Sequence, residues 1–122
     1  MTKITFFQTP TVEDSLALTR FKELVVENTS LSILEEKEEA KGAKADLVSA
    51  IDILNLTLST ISTLITVIDF WQSQYPKYSI KIDIEGNTYT KENMSKGEFE
   101  ETLKKALEKQ EQVTLKIKSE EK

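Results

Sequence analysis

Fifteen of the twenty-five residues from Leu47 to Trp71 are apolar, and any fold for this chain must find cover for them. A run of that length could cross a bilayer as a helix. The other ten residues argue against it: Asp52, Asn55, Asp69 and seven serines or threonines. A carboxylate near the bilayer centre costs roughly 2.5 to 3.5 kcal/mol on insertion scales, and no basic loop flanks the segment to offset that. The expectation is one long helix outside the membrane, over Leu47–Trp71.

Read at helical spacing, the segment carries two stripes. Leu47, Ile51, Leu54, Leu58, Ile61, Ile65 and Ile68 step by four and three and form an unbroken seam. Ile53, Leu56, Leu64, Val67 and Trp71 form a second stripe, rotated about a third of a turn from the first. Asp52, Asn55, Ser59, Ser62, Thr63 and Thr66 fill the polar arc. One stripe packs on the domain's own sheet. The other needs a further cover, because soluble monomers rarely expose apolar patches beyond a few hundred Å². Either a neighbouring helix supplies that cover, or Ile53, Leu56, Leu64 and Val67 are a protein contact surface with Trp71 as its anchor.

The flanking segments read as short elements. Ile4–Phe7 is an opening strand. Thr11 caps a helix over Val12–Glu27, with Glu13 and Asp14 in its first turn, where the helix dipole favours acid. A second strand covers Ser30–Glu35, and the charged stretch Glu35–Lys44 with Gly42 reads as a solvated strand end and turn. Tyr78, Ile80, Ile82 and Ile84 alternate with polar residues, which is a half-buried strand with Lys81 and Asp83 outward. Gly86-Asn87 signals a tight hairpin to Thr88–Thr90, with a type II′ or I′ turn. Ser95 and Glu98 fit a capping box before a third helix bearing Phe99, Leu103, Ala106 and Leu107. Val113, Leu115 and Ile117 close the fold as a strand. The sum is a single α+β domain over residues 1–118 in the order βαβαββαβ, with a charged tail at 119–122. About five short strands form one mixed sheet, split-βαβ-like, with three helices, the second long and central.

Composition narrows the chemistry. The 122 residues include no histidine and no cysteine, which removes disulfides, thiol nucleophiles, the usual ligands of zinc, copper or iron, and the commonest proton shuttle near neutral pH. No catalytic, cofactor-binding or metal-binding residues are assigned. Asp83, Glu85, Asn87 and Glu92 gather near the hairpin but do not follow a calcium-loop pattern. Asp52 and Asp69 lie too far apart to act as a pair. The three glycines are dispersed, so no phosphate loop exists. A net charge of −5 and a single arginine, Arg20, disfavour a nucleic-acid partner. The opening residues lack the pattern of a secretory signal, so the expected location is cytoplasmic.

The succession Ile4-Thr5-Phe6, a helix, Leu31–Glu36, the turn Lys41-Gly42-Ala43, a long Ala/Ile/Leu helix, then Tyr78–Asn87 and Glu98–Leu103, resembles the effector-associated constant component family of bacterial conflict systems. The resemblance spans about residues 3 to 118 and rests on element order and apolar pattern. It implies a small non-enzymatic component that accompanies proteases, nucleases or other effectors in antiviral defence as an adaptor or coupling module. It brings no catalytic residues. The residues themselves leave two other readings open: a structural homo-oligomerisation domain with helix 47–71 as its seam, and a small enzyme working through carboxylates or lysine.

Overall fold

Alternation of apolar and polar residues sets the two faces of a sheet, and here it does so along four strands. The computed structural model describes residues 2–8, 11–39 and 47–119. Its elements are β1 (Thr2–Gln8), α1 (Val12–Asn28), β2 (Ile33–Glu39), β3 (Leu47–Ile53), α2 (Ile61–Gln74), β4 (Tyr78–Ile84), β5 (Asn87–Thr90), a 3-10 turn at Lys91–Asn93, α3 (Lys96–Glu108) and β6 (Val113–Ser119). The six strands form one mixed sheet in the order β2-β3-β1-β6-β4-β5. β1 and β6 run parallel at its centre, and the other neighbours are antiparallel. The fold is a single α+β domain with three helices, one strand richer than the sequence suggests.

Register places Ile4 and Phe6 of β1, Ile51 and Ile53 of β3, Ile80, Ile82 and Ile84 of β4, and Val113, Leu115 and Ile117 of β6 on one face, all buried. The three helices cover that face side by side, α2 between α1 and α3. Phe6, Phe21, Trp71 and Tyr78 meet at the heart of the core, with ring centroids of Phe6, Phe21 and Tyr78 5.4 to 5.9 Å from that of Trp71. Such edge-on and tilted aromatic contacts add to the burial energy of each ring. Both polar atoms of this cluster are satisfied. Trp71 Nε1 donates to the carbonyl of Ala17 at 2.9 Å, and the Tyr78 hydroxyl donates to the buried carboxylate of Asp14.

The long helix over Leu47–Trp71 is not formed. Leu47–Ile53 is an inner strand, hydrogen-bonded on both sides, to β1 and to β2. An inner strand accepts β-branched residues at every other position, and Ile51 and Ile53 occur at that spacing, although each also falls on one of the two helical stripes. Leu54 to Thr60 is a connection, and α2 begins only at Ile61. Hydroxyls mark the break in place of glycine or proline. The Thr57 amide donates to Thr60 Oγ1 at 2.9 Å, and that hydroxyl donates back to the Thr57 carbonyl at 3.1 Å. Asn55, expected on a helix's polar arc, instead clasps the start of β2. Its Oδ1 accepts from the Ser32 amide at 2.6 Å, and its Nδ2 donates to the Ser30 carbonyl at 3.2 Å.

Three smaller differences share a cause, the demand of backbone groups for partners. The charged residues Glu35–Glu39, expected as a solvated end, continue β2 along β3. The hairpin turn sits one residue earlier than expected. Ile84 pairs with Asn87, so the turn is Glu85-Gly86, with φ of 50° and 87°. Both are left-handed, as a type I′ turn requires. Ser119 ends β6 and is not tail. The turn at Gly42 and residues 120–122 lie outside the described residues. The Thr11 cap and the Ser95/Glu98 capping box form as the sequence indicates. No described helix is long and apolar enough to cross a membrane.

Candidate protein-interaction groove

Of the five residues predicted to form a contact surface, Ile53, Leu64, Val67 and Trp71 are buried in the chain's own core, and Leu56 is half-buried against it. The cover for the second stripe is internal. The sheet lies beneath α2 and a helix flanks it on each side, so Ile61, Leu64, Ile65, Val67, Ile68 and Trp71 are all enclosed. The first seam fares the opposite way at two positions. Leu54 and Leu58, assigned to continuous packing, stand exposed in the β3–α2 connection. A helical wheel drawn across a strand, a loop and a helix mixed their faces.

One predicted residue does reach a surface feature. Ala17 of α1 meets Trp71 near the end of α2, so the two helices run as antiparallel neighbours. Between them opens a cleft of about 670 Å³. Its α1 wall is Arg20, Leu24, Glu27 and Asn28, which recur at i, i+4, i+7 and i+8 and so share one helix face. Its α2 wall is Ser62, Thr63, Thr66, Val67 and Phe70. Leu24 and Val67 are buried and form the floor. Phe70 stands at one lip, 47% exposed. A smaller cleft of about 380 Å³ shares Glu27, Asn28 and Thr63 and adds Thr29, Ser30 and Thr60, so the groove continues past the end of α1.

The groove exists because α2 presents small hydroxyl side chains where a leucine would fill the gap. Part of their hydrogen-bonding capacity is used locally. Thr66 Oγ1 donates to the Ser62 carbonyl at 2.9 Å, and Ser62 Oγ donates to Glu100 Oε1 of α3 at 3.0 Å. On the other wall Asn28 Nδ2 donates to the Leu24 carbonyl at 3.0 Å, which ties the last turn of α1. Arg20 pairs loosely with Glu23 at 3.6 Å, leaving a cation near the Phe70 end and Glu27 towards the other. Glu100 is held below the usual glutamate range, first by the hydrogen bond from Lys104 and then by that from Ser62. The groove thus offers an apolar floor, hydroxyl walls and charges of opposite sign along its length. That set can recognise a ridge of side chains on another protein.

The other acidic positions are occupied elsewhere. Asp69 pairs with Lys91 at 2.7 Å, and Asp83 with Lys116 at 3.6 Å. Glu85 accepts from the Gln112 amide, and Glu92 accepts from Gln72 Nε2 and the Ile80 amide. The hairpin carboxylates are therefore dispersed into separate contacts, and among the described residues no three His, Cys, Asp or Glu converge. Asp52 faces Lys3 across the β1–β3 register, on the sheet face away from the helices.

The α1 wall and Phe70 were not singled out from sequence. The available signal was Phe70 itself, a large aromatic beside Trp71 that falls on neither apolar stripe. Comparison with protein-family models, with curated proteins and with solved structures finds no match for this chain.

Proposed function

We propose that this protein is a non-enzymatic adaptor that couples to an effector protein, a protease, nuclease or similar, in a bacterial antiviral defence system. It acts in the cytoplasm and binds by protein–protein contact through the α1–α2 groove. The observation that carries the reading is Phe70, half-exposed at the lip of an apolar-floored cleft, one residue from the fully enclosed Trp71. Exposed aromatics beside a partly apolar cleft are favoured anchors for partner proteins. The resemblance to the effector-associated constant components supplies the class of partner. Helix 47–71 does not exist as a seam, so the self-assembling alternative loses the element on which it rested.

The test is co-purification of the tagged chain with the product of a neighbouring effector gene, for wild type and for Phe70→Glu. The expected result is a stable complex with wild type and loss of the complex with the variant, whose circular dichroism spectrum stays unchanged. A complex that forms equally well with Phe70→Glu removes the groove from the reading. No complex with any adjacent effector removes the adaptor role.

A further inference from the structure

The helices cover one face of the sheet. On the opposite face the β1, β6 and β4 part collects lysines, although the chain as a whole is acidic at −5 and register places Asp52, Glu36 and Glu38 on the β3 and β2 part of the same face. Register lays out three rows across β1, β6 and β4: Lys3, Thr114 and Asp83; Thr5, Lys116 and Lys81; Phe7, Lys118 and Ser79. Thr88 and Thr90 of β5 extend the first two rows. Lys81, Lys116 and Lys118 are exposed and Lys3 is half-exposed, while hydroxyls fill most positions between them. Lys81 and Lys116 sit directly opposite each other on adjacent antiparallel strands, a like-charge pairing that costs stability. Two carboxylates offset the lysines: Asp83, 3.6 Å from the Lys116 ammonium, and Asp52, opposite Lys3 across the β1–β3 register. Lys3, Lys81 and Lys118 make no ion pair with a described residue. Cross-strand neighbours of opposite charge give Lys3 and Lys116 a structural role, Asp52 for one and Asp83 for the other. Nothing of that kind calls for Lys81 opposite Lys116 or for Lys118 beside them.

We infer that this lysine face, formed by β1, β6 and β4, is a second docking surface, and that its occupant is an acidic polypeptide segment. Charge complementarity selects that occupant: a local cationic patch steers and holds a short anionic stretch. A nucleic acid fits less well. Stacking platforms use several aromatics, whereas these rows carry one, the half-buried Phe7. The only arginine, Arg20, lies on α1, across the sheet from this face. The remaining surface is negative and repels a long polyanion, while a short acidic peptide contacts only the patch. This surface is independent of the α1–α2 groove, and its failure leaves the groove reading standing.

The experiment measures fluorescence anisotropy of a labelled oligoglutamate peptide with the full chain, at low and at physiological ionic strength. The expected result is saturable binding that weakens as salt rises. Lys81→Gln with Lys116→Gln weakens it roughly fivefold, the size expected from two exposed ion pairs. Lys118→Gln alone weakens it about twofold. The charge-matched pair Lys104→Gln with Lys105→Gln, on α3, leaves it unchanged. Lys81→Gln melts no lower than wild type, because it relieves the like-charge pairing. No saturable binding, equal loss in the α3 pair, a lower melting temperature for Lys81→Gln, or tighter binding of an oligothymidylate of equal charge each overturns the proposal.

Discussion

Phe70 and Trp71 are consecutive, yet one is 47% exposed and the other 0%, so truncating each tests the architecture and the site together. Trp71→Ala empties the centre of the core. Large-to-small changes of this kind cost about 3 to 5 kcal/mol, and the bond to the Ala17 carbonyl adds about 1 kcal/mol. A chain of this length has a stability of roughly 6 to 18 kcal/mol, so the variant stays folded but marginal. With about 3 to 5 °C per kcal/mol at this size, its melting temperature should fall by about 12 to 30 °C. Phe70→Ala gives up about half of a phenylalanine's transfer energy, about 1 kcal/mol, and should lower the melting temperature by about 3 to 5 °C. Thermal and urea melts followed by circular dichroism measure both. In Phe70→Ala the single tryptophan should keep the blue-shifted emission of a buried indole. The reasoning is refuted if the two variants lose equal stability, or if Trp71→Ala melts within about 5 °C of wild type.

Leu64→Glu places a carboxylate where the side chain is fully enclosed between sheet and helices. The cavity and desolvation costs together rival the whole stability of the domain, so the variant should show no cooperative melt; a folded Leu64→Glu would return this residue to the surface. Glu100 is held below its ordinary value by Lys104 and Ser62, so the unfolded chain binds a proton there before the folded chain does. Its contribution is present above the unfolded value and lost as pH falls through the folded one. The stability gap between wild type and Glu100→Gln should therefore be open near neutral pH and close on acidification, measured by melts across the carboxylate range; a gap that widens in acid contradicts the assignment.

Elements with a single local signal were legible. β4 could be read because Tyr78 to Ile84 alternate strictly, and α3 because Ser95 and Glu98 announce its first turn. α1 was legible within a residue from Thr11 and the spacing of Leu18, Phe21 and Val25. Leu47–Trp71 was not, and the reason is arithmetic: residues four apart share a face in a helix and also in a strand. Leu47 and Ile51, four apart, satisfy both periods. What separates them is the partner strands β1 and β2, which bond to β3 on both sides and are distant in sequence. The break at Thr57–Thr60 is also silent locally, because it is made by reciprocal hydroxyl–amide bonds and not by glycine or proline.

The site was less legible than the fold for a related reason. Val67 alone among the predicted contact residues lines the groove, because a groove is a property of two helices and the spacing of one reports only what that helix buries. α2 buries both of its stripes because it lies between α1 and α3. Its only exposed large apolar residue is therefore the one that falls outside both stripes, Phe70. The lysine rows follow the same logic at the level of the sheet. Lys81 and Lys116 are each unremarkable in their own strands, at the outward positions where alternation places polar residues. They become an opposed like-charge pair only when β6 inserts between β1 and β4. That insertion is the closing step of the topology, in which the last strand lies parallel to the first. Both candidate surfaces thus depend on long-range packing, α1 against α2 for one and β6 against its two neighbours for the other.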